Sequence, residues 1–265
     1  MFTSNPFAEI SAFIPPSAMQ TYVIVMFILV IAGTLYDVVH KKSALYFFNN
    51  WRRARNKGVK KVGGGEAVSI AVKTAVVDVM ASGEFCNMRR RIAHLLTMYG
   101  FLAFVISTTV MVFKFPTAAT PAPALLAELW HVGAAMICIG GYWFWFFIRV
   151  DVAAEGSSPF RIIRADLFVL SLLASATFAL LWSYLQHTGS SYALLFFALH
   201  IFATTLLFGA VPWSKFAHMF FKPAAALERR MSEANGTRNN LPAPLISQKL
   251  LAEVISGRET TSTTF

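Results

Sequence analysis

The stretch that decides the fold is residues 192–213, which read YALLFFALHIFATTLLFGAVPW and contain no Lys, Arg, Asp or Glu. About 20 consecutive apolar residues span the hydrocarbon core of a bilayer. Four more apolar stretches of similar length lie near Tyr22–Val39, Ile92–Phe113, Leu125–Ile148 and Leu167–Leu185. The sequence therefore predicts an all-α integral membrane protein, a bundle of five transmembrane helices.

Composition supports the same class. The chain has 265 residues, of which 56% are hydrophobic and 14% charged, and this is too apolar for an ordinary soluble domain. Its only cysteines are Cys86 and Cys138. Because an iron–sulfur cluster needs four thiolates, the chain cannot hold one alone.

The positive charges predict the orientation, since Lys and Arg near a span resist translocation. Residues 40–91 hold 12 Lys and Arg, the loop after the third span holds Arg149, Arg161 and Arg164, and seven more follow the fifth span. Only Lys114 is left on the opposite side. We therefore expect the N-terminus outside and the C-terminus in the cytoplasm of a bacterial-type inner membrane. The net charge of +10 then faces anionic lipid and a docked protein partner, and not nucleic acid.

Three regions follow from these spans. Residues 1–19 form an outer segment, residues 20–222 the membrane domain with the basic cytoplasmic loop 41–91, and residues 223–265 a cytoplasmic tail. Within the loop, apolar residues recur at helical spacing over Glu66–Met80. This spacing predicts a helix that lies either on the membrane or against a partner, with a solvated linker as the alternative.

The histidines are the most informative polar residues, because ionisable groups inside a membrane are costly and often functional. His200 and His218 are 18 residues apart on the fifth span. That separation is five helical turns, so both side chains project from one face with about 27 Å of rise between them. One helix face could therefore serve two cofactors at two depths.

Each of these histidines has a candidate partner at a matching depth. His94 lies at the cytoplasmic start of the second span, level with His218, and His131 lies two turns into the third span, level with His200. Two facing histidines are the axial ligands of a low-spin b-type haem, which suits electron transfer. The alternative for any single histidine is an interhelical hydrogen bond. The paired depths favour two b haems, one on His94 and His218 and one on His131 and His200.

In several motifs the chain resembles a known family of membrane cytochromes b. The ending Pro212-x-Ser214-Lys215-x-x-His218 is similar to the gamma-subunit cytochrome b of respiratory nitrate reductase. The run Arg91–Leu96 followed by Tyr99-Gly100-Phe101 is closer to the relatives in heterodisulfide reductase and the quinone-interacting membrane oxidoreductase. With Gly83–Met88 and no fused iron–sulfur domain, the chain looks most like the membrane protein associated with dissimilatory adenylylsulfate reductase. The nitrate-reductase pattern has a second histidine where this chain has Phe104.

The resemblance implies a membrane subunit that exchanges electrons between a quinone pool and a cytoplasmic iron–sulfur or flavin enzyme, here adenylylsulfate reductase of sulfur metabolism. Lys114 and His187, both near the outer surface, are the candidate quinone contacts. The basic and aromatic residues Trp51, Arg52, Arg53 and Arg55 are the candidate docking surface for the enzyme. The competing function is a membrane anchor without a cofactor, in which the histidines are structural. A transporter is disfavoured because Asp37 is the sole carboxylate well inside a span.

Overall fold

The computed structural model describes residues 1–40, 43–56, 58–83, 85, 87–149, 162–213 and 218–237. Within these ranges the chain is helical and contains no strand. In chain order the α-helices are α1 (Pro6–Ile10), α2 (Pro16–His40), α3 (Ser43–Asn56), α4 (Gly64–Lys73), α5 (Met88–Lys114), α6 (Ala124–Trp143), α7 (Leu167–His187), α8 (Ala193–Gly209) and α9 (His218–Ala234). A π-helix continues α4 over Thr74–Met80, and another continues α6 over Phe144–Ile148.

Among the described helices, four are long and apolar enough to cross a membrane: α2, α5, α7, and α6 with its π-helical extension. α8 is equally apolar but has 17 residues, and a 3-10 turn at Val211–Trp213 follows it. The predicted span Tyr192–Trp213 corresponds to α8 and this turn together. The chain is thus a helical, multi-pass membrane protein by the length and composition of its helices, whereas the fifth span and the orientation stay predictions.

The chain divides into two compact units. The first unit comprises residues 1–44 and 75–223 and contains all the apolar helices. The second unit comprises residues 45–74 and 224–265 and contains most of α3 and α4 and the second half of α9. The predicted helix over Glu66–Met80 is confirmed, because α4 and its π-helical continuation cover those residues.

Glycines bring α5 and α6 into backbone contact. A Cβ atom built on Gly100 would lie 2.7 Å from the Gly133 carbonyl oxygen, and one on Gly133 would lie 2.8 Å from the Gly100 oxygen. A Cβ on Gly140 would lie 2.7 Å from the Ala93 oxygen. Small residues allow this approach in membranes, where packing and not hydrophobicity drives helix association. The α5–α6 pair is therefore the frame against which the other helices pack.

The short helix α1 closes one end of the bundle. Asn5 caps it and also donates from Nδ2 to the Phe115 carbonyl oxygen at 2.8 Å. Phe7, which is 3% exposed, packs edge-on against Trp130 and Trp182, with ring centroids 5.8 and 5.3 Å apart. This aromatic cluster holds the N-terminal segment onto the ends of α6 and α7.

An ion pair fixes the opposite end of α6 to the start of α7. Arg149 donates to Asp166 from Nε at 3.1 Å and from Nη2 at 2.5 Å, and its guanidinium lies 4.2 Å from the centre of the Trp145 ring. Asp166 also accepts from the Ile163 backbone N–H at 2.9 Å. Because the pair is largely buried and bidentate, it constrains geometry more than an exposed pair would.

Within the second unit, the end of α9 contacts the segment that precedes α4. The backbone N–H groups of Val59 and Lys60 both donate to the Asn235 carbonyl oxygen, at 2.9 and 3.2 Å. Lys60 also pairs with Glu66 at 3.1 Å, but both side chains are exposed and the pair adds little stability. These backbone hydrogen bonds to Asn235 thus connect the segment before α4 with the end of α9.

Candidate functional site

A cavity of about 220 Å³ lies inside the first unit, between α2, α5 and α8. α6 completes its wall through Ile137, and α7 through Leu172, Ser175 and Ala176. Most of the lining is aliphatic or aromatic. The polar side chains on the wall are Tyr22, Thr108, Thr109, Ser175, His200 and Thr204. An apolar cavity with a few convergent polar groups is the usual form of a small-molecule site.

His200 is the only titratable imidazole on this wall, and its orientation is defined. Its Nδ1 lies 3.0 Å from the Ser175 carbonyl oxygen, which can only accept a hydrogen bond, so Nδ1 carries the proton. Nε2 is then the nitrogen with a lone pair, and it has no hydrogen-bond partner in the part of the chain that the structure describes. Trp182 stacks on the ring with centroids 5.9 Å apart, and Phe104 packs edge-on at 6.1 Å. The ring is therefore held in place with one nitrogen available.

Hydroxyl groups surround the imidazole. Ser175 Oγ lies 3.3 Å from His200 Nδ1 and 2.7 Å from Thr204 Oγ1. On the facing helix, Thr108 Oγ1 donates to the Phe104 carbonyl oxygen at 2.8 Å and accepts from the Trp130 indole N–H at 2.9 Å. These hydroxyl groups are satisfied within the protein, so His200 Nε2 is the atom on the imidazole that remains available to a ligand.

His131 is fully buried, and both of its ring nitrogens have protein partners. Nδ1 lies 2.7 Å from the Ala127 carbonyl oxygen, and Nε2 lies 2.7 Å from Ser183 Oγ. The rings of Phe2 and Trp130 pack edge-on against the imidazole, at 5.3 and 4.8 Å. This is the interhelical hydrogen bond that sequence analysis kept as the alternative to a haem ligand.

In this arrangement His131 and His200 do not face each other with a free nitrogen on each ring. A haem iron needs a free nitrogen on each axial histidine, and Ser183 occupies Nε2 of His131. His131 and His200 are joined instead through the Trp130 and Trp182 rings, whose centroids are 6.0 Å apart. The outer haem on His131 and His200 thus stays a prediction.

The residues predicted to hold the inner haem lie at the other end of the first unit. His94 is half-buried in the second turn of α5, and its ring lies 5.0 Å from the Phe85 ring. Lys222 Nζ lies 4.9 Å from the centre of the same Phe85 ring. His218 begins α9, but its side chain lies outside the described part of the structure. The pairing of His94 with His218 thus stays a prediction.

The two predicted quinone contacts do not line the cavity. Lys114 ends α5 with its side chain exposed. His187 ends α7, is exposed, and has its Nε2 3.3 Å from the amino group of Met1. The structure does not bring either residue to His200, and their role stays a prediction.

The predicted docking residues all lie on α3, in the second unit. Trp51 is half-buried and contacts the Phe47 ring at 5.8 Å, while Arg52 is exposed. The side chains of Arg53 and Arg55 fall outside the described set. α3 is strongly amphipathic. Its aromatic residues and its arginines lie close together along the helix.

The hydroxyl groups of the site were not among the residues predicted from the sequence. Ser171, Ser175, Ala179 and Ser183 follow each other at four-residue spacing on α7, and all are buried. This spacing puts small residues along one helix face. The stripe was visible in the sequence and would have suggested partners for His131 and His200.

Comparison with known proteins adds no relative. A scan against protein-family models, a search of curated proteins and a search of solved structures each found no match. The chain itself is a helical membrane protein with an internal cavity that has a histidine on its wall.

Proposed function

We propose that this chain is the membrane electron-transfer subunit of a redox complex and that it exchanges electrons between a membrane quinone and a cytoplasmic enzyme. The single observation that carries this function is the apolar cavity with His200 on its wall, inside a bundle of membrane-spanning helices. We also propose that the chain has five spans, that its N-terminus lies outside, and that it is located in a bacterial-type inner membrane. The one-sided distribution of Lys and Arg supports them.

A quinone suits the cavity in size and polarity. The space accommodates one flat ring, and its wall reaches the lipid-facing surface, because Phe27 both lines the cavity and is 45% exposed. The carbonyl-bearing ring would lie inside and the apolar tail would extend into the lipid. A water-soluble ligand would have to cross the hydrocarbon region to reach the same position, which favours a ligand already dissolved in the membrane.

His200 supplies the proton chemistry that a quinone needs. Oxidation of a quinol to a quinone releases two electrons and two protons. His200 Nε2 can accept one of these two protons from a quinol hydroxyl, while the Ser175 carbonyl keeps its hydrogen bond to Nδ1–H. The second proton leaves to water at the membrane surface, and the two electrons pass to the partner enzyme. In the reverse reaction the protonated Nε2 donates to a quinone carbonyl. The imidazole thus serves as a general base or acid without moving.

The remainder of the proposal rests on the resemblance and the charges. A b haem held by His94 and His218 would supply one-electron transfer between the quinone and the partner. The partner is an iron–sulfur or flavin enzyme, with adenylylsulfate reductase as the specific candidate. Trp51, Arg52, Arg53 and Arg55 would attract an acidic surface on that enzyme, because complementary charge accelerates association.

The cofactor-free anchor is the second candidate function, and one observation favours it. Both ring nitrogens of His131 are hydrogen-bonded within the protein, as is typical of a histidine with a structural role. If His94 and His218 were of the same kind, the chain would tether its enzyme without conducting electrons.

Haem content separates these two functions. We expect one b haem per chain and not two, because His131 has no free nitrogen for iron. His131→Ala should leave the pyridine-haemochrome content unchanged, whereas His94→Ala and His218→Ala should remove the haem. Two haems in the wild-type protein would contradict the one-haem proposal, and a colourless protein after haem-supplemented expression would support the anchor.

Electron exchange tests the proposed function as a whole. Proteoliposomes would contain the chain and a short-chain ubiquinone or menaquinone analogue, with adenylylsulfate reductase, sulfite and AMP outside. We expect quinone reduction that depends on the chain, or, with quinol in the liposomes and adenylylsulfate outside, quinol oxidation that depends on it. Equal rates in liposomes lacking the chain would overturn the proposal.

A further inference from the structure

The helix that precedes α5 has its polar and apolar faces reversed relative to a soluble surface helix. In the π-helix Thr74–Met80, Val76 and Met80 are 51% and 54% exposed, whereas Asp78 is 7% exposed. Ser82, just after the helix, is 1% exposed. A helix at a water-exposed surface normally turns its polar face outward. The face that points away from the protein here is the apolar one.

This segment lies beside a membrane-spanning helix. The Tyr99 hydroxyl donates to the Met80 carbonyl oxygen at 2.7 Å. Tyr99 is 11 residues after Met88, the start of α5, which corresponds to about 16 Å along the helix axis. Its side chain leans toward the helix N-terminus. Met80 therefore lies next to the first three turns of α5, below the level at which that helix begins.

The carbonyl groups at the end of this helix have hydrogen-bond partners within the protein, as a hydrocarbon environment requires. The last carbonyls of a helix have no partner within the helix and are normally hydrated. Here the carbonyl oxygens of Val76 and Val77 accept from the backbone N–H groups of Ala81 and Gly83, at 2.9 and 2.7 Å. The Met80 oxygen accepts from Tyr99, and the Ala81 oxygen accepts from Arg91 Nε at 2.8 Å. Four carbonyls are thus satisfied by protein donors.

The segment between the π-helix and α5 begins with a tight turn at Ser82 and Gly83. Ser82 has a positive φ of 48°. A Cβ atom on Gly83 would lie 2.8 Å from the Val77 carbonyl oxygen, so only glycine fits. Asn87 then caps α5 by accepting from the Arg89 N–H at 2.9 Å. The end of the π-helix and the start of this turn therefore lie beside the first three turns of α5.

We infer that residues 74–80 form a re-entrant helix whose Val76, Val77 and Met80 face inserts among the lipid acyl chains of one leaflet. The occupant of this face is lipid and not a protein partner. On α5, Leu102 lies three residues after Tyr99, the residue that contacts Met80, and is itself an exposed apolar residue at 44%. Lys73 and the Arg89–Arg91 run flank the segment and match anionic headgroups.

Spin-label accessibility tests this placement. Single-cysteine variants Val76→Cys and Met80→Cys would be made in a Cys86→Ser, Cys138→Ala background, labelled, and placed in nanodiscs of phosphatidylcholine and phosphatidylglycerol. Collisions with oxygen and with a water-soluble nickel chelate would be compared. Leu102→Cys is the matched lipid-facing control, and Thr120→Cys, in the exposed loop between α5 and α6, is the aqueous control.

We expect both labels to match Leu102→Cys, with oxygen accessibility high and nickel accessibility several-fold below that of Thr120→Cys. Nickel accessibility equal to that of Thr120→Cys would overturn the inference. Protection of both labels only after a soluble partner is added would also overturn it, because the face would then be a protein-docking surface. The unlabelled variants should remain monodisperse, which separates misfolding from a change of environment.

Discussion

His200→Ala should lower the rate of quinone-linked electron transfer by about a hundredfold or more. General acid–base catalysis by a positioned side chain contributes about 10²- to 10⁴-fold, and His200 is the only imidazole on the cavity wall. The rate would be measured in proteoliposomes with the partner enzyme at saturating concentration. Quinone affinity should fall as well, since a buried hydrogen bond contributes about 1–3 kcal/mol when its loss leaves a polar group unpaired.

His40→Ala is the matched control for this change. His40 ends α2, is exposed, and stacks on Tyr36, away from the cavity lining. Its removal deletes the same side chain and should leave the rate unchanged. His200→Gln should recover part of the rate loss if the defect is one of hydrogen bonding, because an amide N–H can donate to the Ser175 carbonyl. Equal activity of His200→Ala and the wild-type protein would exclude His200 from the reaction.

Gly133→Leu should prevent the protein from folding. Even one added Cβ would lie 2.8 Å from both the Gly100 carbonyl oxygen and the Phe104 backbone nitrogen. Neither atom can move without separating α5 from α6, and overpacking of this kind typically costs about 1–3 kcal/mol and sometimes more. We expect Gly133→Ala to lower the melting temperature clearly and Gly133→Leu to yield no monodisperse protein in size-exclusion chromatography.

Gly209→Ala is the control for that series. Gly209 ends α8, and a Cβ built on it would meet no atom within 4 Å. The substitution should change stability little. If Gly133→Leu and Gly209→Ala gave equally stable protein, the close contact between α5 and α6 would not be what holds the bundle together.

Much of the fold could be predicted because apolar length and helical periodicity are local properties. The predicted span Leu125–Ile148 differs from the observed helix by one residue at its start. The predicted span Tyr22–Val39 begins six residues late, because Pro16 suits the first turn of a helix and extends α2. Helix ends set by single residues are thus harder to predict than helix cores.

The site was predicted less completely, because depth along a helix does not define which way a side chain turns. His131 and His200 were paired by depth, and the structure turns His131 toward Ser183 instead. Small changes in helix rotation decide between a shared haem and an interhelical hydrogen bond. Helix rotation is fixed by close contacts between single residues, such as Gly100 with Gly133. The two residues of such a contact are far apart in the sequence, so a local pattern does not reveal it.

The most direct test of the central claim is photolabelling of the purified chain in nanodiscs with a photoreactive short-chain quinone analogue. The account predicts labelled peptides from the cavity-lining parts of α2, α5 and α8, and loss of this labelling when excess unlabelled quinone is added. His200→Ala should weaken the labelling, while His40→Ala should not. Labelling confined to the ends near Lys114 and His187, or labelling that unlabelled quinone does not reduce, would contradict a quinone site in the His200 cavity.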